Sequence, residues 1–121
     1  PTHQALGATL PAGTIAQSFV LEVVITWILM FVILNVSTGA REKGITAGIA
    51  IGSVIAFAAM FASPVSGASM NPARSLGPAL ISGSLEGLWL YFLAPAVGAL
   101  LAVPACRSVN EEGCCTGEAC R

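Results

Sequence analysis

No aspartate occurs anywhere in the chain, the single histidine is His3, and only 9% of the residues are charged. Each shortage excludes something. Without aspartate, with one histidine near the first residue and with no nucleophile beside a base, the sequence offers no catalytic constellation, and an enzyme is not expected. Nothing in it calls for a cofactor. Lys+Arg number 5 against 6 Asp+Glu, for a net charge of −1 and a pI near 5.7. There is thus no basic field, and no basic patch interleaved with aromatics, to hold nucleic acid. A soluble domain has about a quarter of its residues charged. Here 55% are hydrophobic and the mean hydropathy is +0.84, so the expected solvent and first partner is a lipid membrane. Pro1 is not followed by the charged and then apolar pattern of a signal peptide, and the chain is expected to be part of a longer protein.

Three apolar runs are present. Residues 15–36, IAQSFVLEVVITWILMFVILNV, would span about 33 Å as a helix, enough for the hydrocarbon core. Residues 44–62 and 87–106 are close to that length. This predicts an all-α membrane protein with three crossings, preceded by a connecting segment, 1–14, and followed by a tail, 107–121. Residues 63–86 are too polar and broken to cross, yet contain LGPALI, too apolar for a water-exposed loop. A re-entrant segment reconciles the two, because backbone at membrane depth is tolerated where protein or a water-filled cavity covers it. Arg41, Lys43, Arg107 and Arg121 fall in the loop after the first crossing or in the tail. The positive-inside rule then predicts a multi-pass protein of the cell membrane with a cytoplasmic tail, the connecting and re-entrant segments lying outside.

The remaining basic residue, Arg74, lies within SGASMNPARSLGPALISG, residues 66–83. Asn71 followed by Pro72 is a strong helix start, since Asn caps well and proline lacks an N–H that would have had no partner. A helix over about 71–82 would be roughly 18 Å long, only part of the bilayer. Its N-terminus carries the positive end of the helix dipole, and Arg74 lies one turn in on the same side as Asn71. If the preceding Ser66, Gly67, Ala68, Ser69 and Met70 are extended, their carbonyls are unpaired and must meet water or solute. Acceptors leading to fixed donors suit a neutral, hydrogen-bonding solute, while the dipole and the arginine repel cations. Asn-Pro-Ala alone is more often an ordinary turn or cap. An intramembrane arginine and the small residues upstream favour the functional reading.

SGASMNPARSLGPAL resembles the second Asn-Pro-Ala box of the major intrinsic proteins, the aquaporins and aquaglyceroporins. With LWLYFLAPAVGA in the last crossing, the chain is most similar to their nodulin 26-like branch. The resemblance covers residues 16–103 and implies one half of a six-crossing pore, made of two inverted halves whose Asn-Pro-Ala half-helices meet at the midplane, in a homotetramer. This chain carries the second half only, as a channel repeat over 15–106. The implied function is passive permeation of water and small uncharged solutes. Asn71, Pro72 and Ala73 would be the pore motif, with the carbonyls of Gly67, Ala68, Ser69 and Met70 lining the pore. Ala59, Ala68 and Arg74 would form the selectivity constriction, its fourth residue lying in the absent half. Water-specific members carry histidine where Ala59 stands, so a wider, less polar opening is expected. Glycerol, urea or the undissociated hydroxides of arsenic, boron or silicon would pass.

The resemblance also makes Glu22 an anchor accepting hydrogen bonds from the re-entrant loop, in a polar stripe with Ser18 and Thr26 that must face protein. The plainer alternative is a buried acid kept uncharged. Gly44, Gly48, Gly52 and Ala56 recur every fourth position, a small-residue face expected to serve helix packing. Trp27 is expected to pack, and Trp89 and Tyr91 to form part of an aromatic belt.

The tail lies outside the resemblance. Cys106, Cys114, Cys115 and Cys120 would face a reducing compartment, which disfavours disulfides, and their spacing matches no standard zinc pattern. Cys114, Cys115 and Cys120 could offer thiolates to a soft ion or trivalent arsenic; a disordered tail of no specific function is the favoured alternative. Two rivals to a channel remain, a secondary-transporter repeat with a broken helix and a non-conducting membrane interaction fragment. A transporter would need a coupling-ion site of carboxylates, and Glu22 is the lone acid within a crossing.

Overall fold

The computed structural model describes residues 8–39 and 45–110, and every regular element among them is helical. In chain order these are α1 (Ile15–Leu34), a π-helical turn (Asn35–Gly39), α2 (Ile45–Ser66), α3 (Pro72–Ser82) and α4 (Leu88–Val109). Helices α1, α2 and α4 are long and apolar enough to cross a membrane. With 11 residues, α3 rises about 16 Å and is not. The expected all-α architecture, three crossings and one short helix, is the one observed.

Local chemistry sets the ends. Helix α1 begins at a capping box: Thr14 Oγ1 accepts from the Gln17 N–H at 3.2 Å, and Gln17 Oε1 accepts from the Thr14 N–H at 3.1 Å. Two otherwise orphan donors are thereby satisfied. At its other end the Asn35 amide donates to the Phe31 carbonyl at 2.7 Å and the Ser37 hydroxyl to that of Ile33. Such side chains compete with the regular ladder, and the chain widens there into the π-helical turn. The first expected crossing, 15–36, thus contains a change of helix type that hydropathy does not register.

Helix α2 runs four residues past the expected 62 and includes Pro64. Proline removes a ladder donor, but this last turn is tied from outside. The Val65 carbonyl accepts from the N–H groups of Ala12 at 2.9 Å and Gly13 at 3.2 Å, and from Ser18 Oγ at 3.3 Å. The same bonds hold the end of the connecting segment against α2.

Packing centres on α1 against α4. Buried Leu90, Tyr91, Ala94, Gly98, Ala102 and Cys106 recur at three- or four-residue spacing along α4, and α1 buries Ser18, Glu22, Ile25, Thr26 and Leu29. The two backbones approach closely at Gly98, where a Cβ would lie 2.5 Å from the Val23 carbonyl oxygen and 3.0 Å from Thr26 Cβ. The face expected to pack is a different one. Gly48, Gly52 and Ala56 are exposed, and a Cβ on Gly48 or Gly52 would meet nothing within 4 Å; Gly44 lies outside the described residues. Close packing needs a small residue and also a facing helix, and Gly98, unlike Gly48 and Gly52, has both among the described residues.

Two further expectations change. Tyr91 is not a belt residue but fully buried, its hydroxyl donating to the Ser66 carbonyl. Trp89 is half exposed, its ring centroid 6.4 Å from that of Phe19. Trp27 packs as expected, donating from Nε1 to the Leu101 carbonyl at 3.3 Å and stacking on Phe31. Cys106, expected as a thiol, is buried and disulfide-bonded. Cys114, Cys115 and Cys120, and with them the soft-metal reading, lie outside the described residues.

Candidate functional site

Asn71 adopts an extended conformation (φ −152°, ψ 119°), and its Oδ1 accepts from the Ala73 N–H at 2.9 Å, with Pro72 opening α3. The helix therefore starts at Asn-Pro-Ala because that tripeptide supplies both a cap and a first residue needing no acceptor. One turn in, Arg74 folds back on the preceding segment. Its Nη1 donates to the carbonyls of Gly67, at 3.4 Å, and Ala68.

The segment it reaches is not extended. Gly67, Ala68 and Met70 have φ of 85°, 45° and 53°, a left-handed turn in place of an extended backbone. For a residue with a Cβ this conformation costs about 1–2 kcal/mol, and Glu22 supplies the compensation. Its Oε1 accepts from the Ser69 N–H at 2.8 Å and from Ser66 Oγ at 2.8 Å, while Oε2 accepts from the Met70 N–H at 2.9 Å. The turn directs amides toward α1 and carbonyls toward Arg74. Each carbonyl oxygen has two acceptor sites, so those of Gly67 and Ala68 keep capacity for a further donor. Ser18 and Glu22 of the polar stripe are buried and bonded, whereas the buried Thr26 Oγ1 has no hydrogen-bond partner among the described residues.

Behind the turn runs a chain of hydroxyls that the sequence did not single out. Ser69 Oγ donates to the Asn71 carbonyl at 2.8 Å, Ser69 and Ser75 Oγ atoms are 2.6 Å apart, and Thr9 Oγ1 donates to Ser75 Oγ at 2.5 Å. No local pattern links residues 9, 69 and 75.

A cavity of about 340 Å³ lies in front of the turn, lined by Ala59, Ala68, Ser69, Met70, Asn71 and Arg74 together with Leu29 and Ile55. Six of the predicted site residues thus meet around one space. Gly67, Pro72 and Ala73 are not among its lining. Ala68 is fully buried and reaches the site through its carbonyl. Leu29 and Ile55 were missed, although Ile55, one helical turn before Ala59, shares its face and could have been found by spacing. A larger apolar groove of about 790 Å³ runs beside Val20, Val24 and Pro64, away from the turn.

The model of the family described as major intrinsic protein matches residues 2–105. The chain belongs to the major intrinsic protein family. It is 53% identical over 98 residues to Nodulin-26 of Glycine max, covering 81% of this chain and 36% of that protein. It is 54% identical over 97 residues to Aquaporin NIP1-4 of Oryza sativa subsp. japonica, covering 80% and 36%. Against Aquaporin NIP1-2 of Arabidopsis thaliana the identity is 51% over 98 residues, covering 81% and 33%. The chain spans about a third of the length of the curated relatives it matches. With its three crossings, this major intrinsic protein chain is part of a multi-pass membrane protein.

Proposed function

We propose that the chain is the C-terminal half of a membrane channel for passive permeation of water and small uncharged solutes. The observation that carries this is the cavity where Asn71, Ala59 and Arg74 meet. A helix N-terminus and a guanidinium provide donors, and the Gly67 and Ala68 carbonyls provide acceptors. Among the described residues no carboxylate lines the space. Such a lining exchanges hydrogen bonds with a neutral solute while its positive field repels cations.

In this reading Asn71, Pro72 and Ala73 form the pore motif, Ala59, Ala68 and Arg74 three parts of the constriction, and Glu22 the anchor of the loop. Ala59 leaves room for solutes wider than water, the class of glycerol, urea or metalloid hydroxides. A second half-helix in the rest of the protein closes the pore, and four copies assemble, with the connecting segment outside and the tail cytoplasmic. A transporter repeat fits less well, because Glu22, the acid within a crossing, spends both its oxygens on the turn.

Stopped-flow permeation of water and glycerol by the full-length protein in proteoliposomes tests the proposal. Rates above those of empty vesicles are expected for both solutes. Ala59→His adds bulk and a donor facing Arg74, and should lower the glycerol-to-water ratio by about tenfold, ~1.4 kcal/mol of relative barrier. Rates equal to empty vesicles would overturn the channel reading, and an unchanged ratio would remove Ala59 from the constriction.

A further inference from the structure

Thr9 lies in the connecting segment, 62 residues before Asn71 in sequence, yet it touches the turn and α3 at once. Its body packs on Gly67, where a Cβ would come within 3.2 Å of Thr9 Cβ and Cγ2. Its hydroxyl donates to Ser75 Oγ. The bonds beyond it have a fixed direction. A hydroxyl has one hydrogen, and that of Ser69 goes to the Asn71 carbonyl, so the 2.6 Å contact between Ser69 and Ser75 must be donated by Ser75. Thr9 then donates to Ser75, Ser75 to Ser69, and Ser69 to the carbonyl of the cap residue of α3. Ser69 and Ser75 are buried, so water does not replace a missing link, and such chains strengthen link by link.

We propose that Thr9 is a positioning residue for the constriction, its hydroxyl ordering a Thr9–Ser75–Ser69–Asn71 chain that fixes the left-handed turn relative to α3. This sets where the Gly67 and Ala68 carbonyls, and Arg74 bound to them, sit in the cavity. Glu22 holds the same turn from the side of α1, so two separate side chains grip it. Glu22 fixes the amides of Ser69 and Met70. Thr9 touches Gly67 at the start of the turn and, through Ser75 and Ser69, reaches the cap that follows it.

The proposal rests on the channel reading, and the experiment separates the two. Thr9→Val keeps the branched shape against Gly67 and removes the hydroxyl; Thr9→Ser keeps the hydroxyl and removes the methyl. In full-length protein reconstituted in equal folded amounts, Thr9→Val should shift the glycerol-to-water permeability ratio by about fivefold, the size of one neutral hydrogen bond. Thr9→Ser should restore the wild-type ratio. Amide exchange at Ser69 and Met70 should quicken in Thr9→Val and stay at the wild-type rate in Thr9→Ser. A wild-type ratio in Thr9→Val while wild-type protein conducts would overturn the positioning role and leave the channel standing. Equal shifts in the two variants would overturn it as well, since shape and not the hydroxyl would then matter. Unchanged amide exchange in Thr9→Val would do the same without reference to conduction. Wild-type protein that fails to conduct would sink the channel reading, and this proposal with it.

Discussion

Arg74 does two things with one guanidinium. Its Nη1 holds the Gly67 and Ala68 carbonyls, and its fixed charge adds to the roughly half-unit positive end of the α3 dipole. Arg74→Val removes both and leaves the dipole as the remaining barrier to cations. Proton leak through the full-length channel should therefore rise while neutral flux persists, as read by a pH-sensitive dye beside stopped-flow water transport. A wild-type leak with normal water flux would show that the charge is not the filter. Glu22 works differently, because its buried carboxyl meets three protein donors and is not among the residues lining the cavity. The loss of one partner there would leave buried polar groups unsatisfied, at about 1–3 kcal/mol each.

At the level of elements, the close approach of two helices decides which glycine matters. At Gly98 a Cβ would sit 2.5 Å from a backbone oxygen of α1, whereas at Gly52 it would meet open space. Gly98→Ala must push α4 away from α1, and overpacking of this kind costs about 1–3 kcal/mol. Gly52→Ala should be neutral or stabilising by about 0.5–1 kcal/mol, because glycine is costly inside a helix. Thermal unfolding of the 121-residue chain in detergent, followed by helical circular dichroism, should give a lower midpoint for Gly98→Ala alone. Equal midpoints for the two variants would mean that α1 and α4 do not pack as described.

For the molecule as a whole, much of the apolar surface of α2 is left uncovered by the other described helices. Ile45, Ile49, Phe57 and Met60 of α2 are between 63% and 84% exposed, and the cavity is walled by α1, α2, the turn and α3. Such a surface suits lipid or another protein segment, whereas the polar backbone of the turn requires cover at membrane depth. The chain inserted alone should conduct neither water nor glycerol. Swelling of proteoliposomes containing only these 121 residues, above the rate of empty vesicles, would contradict this.

Composition and run length alone determine that the chain is helical, built for lipid, and crosses three times, because a bilayer imposes one length and one polarity on every helix that spans it. The Asn71–Arg74 stretch fixes a short helix and its start by local chemistry, and with it a donor cluster at one end. Partners distant in sequence were beyond such reading. That Thr9 reaches Ser75, that Tyr91 turns inward to Ser66 and that Gly98 rather than Gly52 takes the helix contact all depend on relative placement; that Glu22 meets the loop at Ser69 and Met70 was implied by the family resemblance and not by local chemistry. The conformation of residues 67–70 depends on placement too. Small residues are compatible with an extended segment or a left-handed turn, and local preference favours the former. The carboxyl of Glu22 on one side and the guanidinium of Arg74 on the other decide for the turn, and both arrive there only when α1 and α3 are in position.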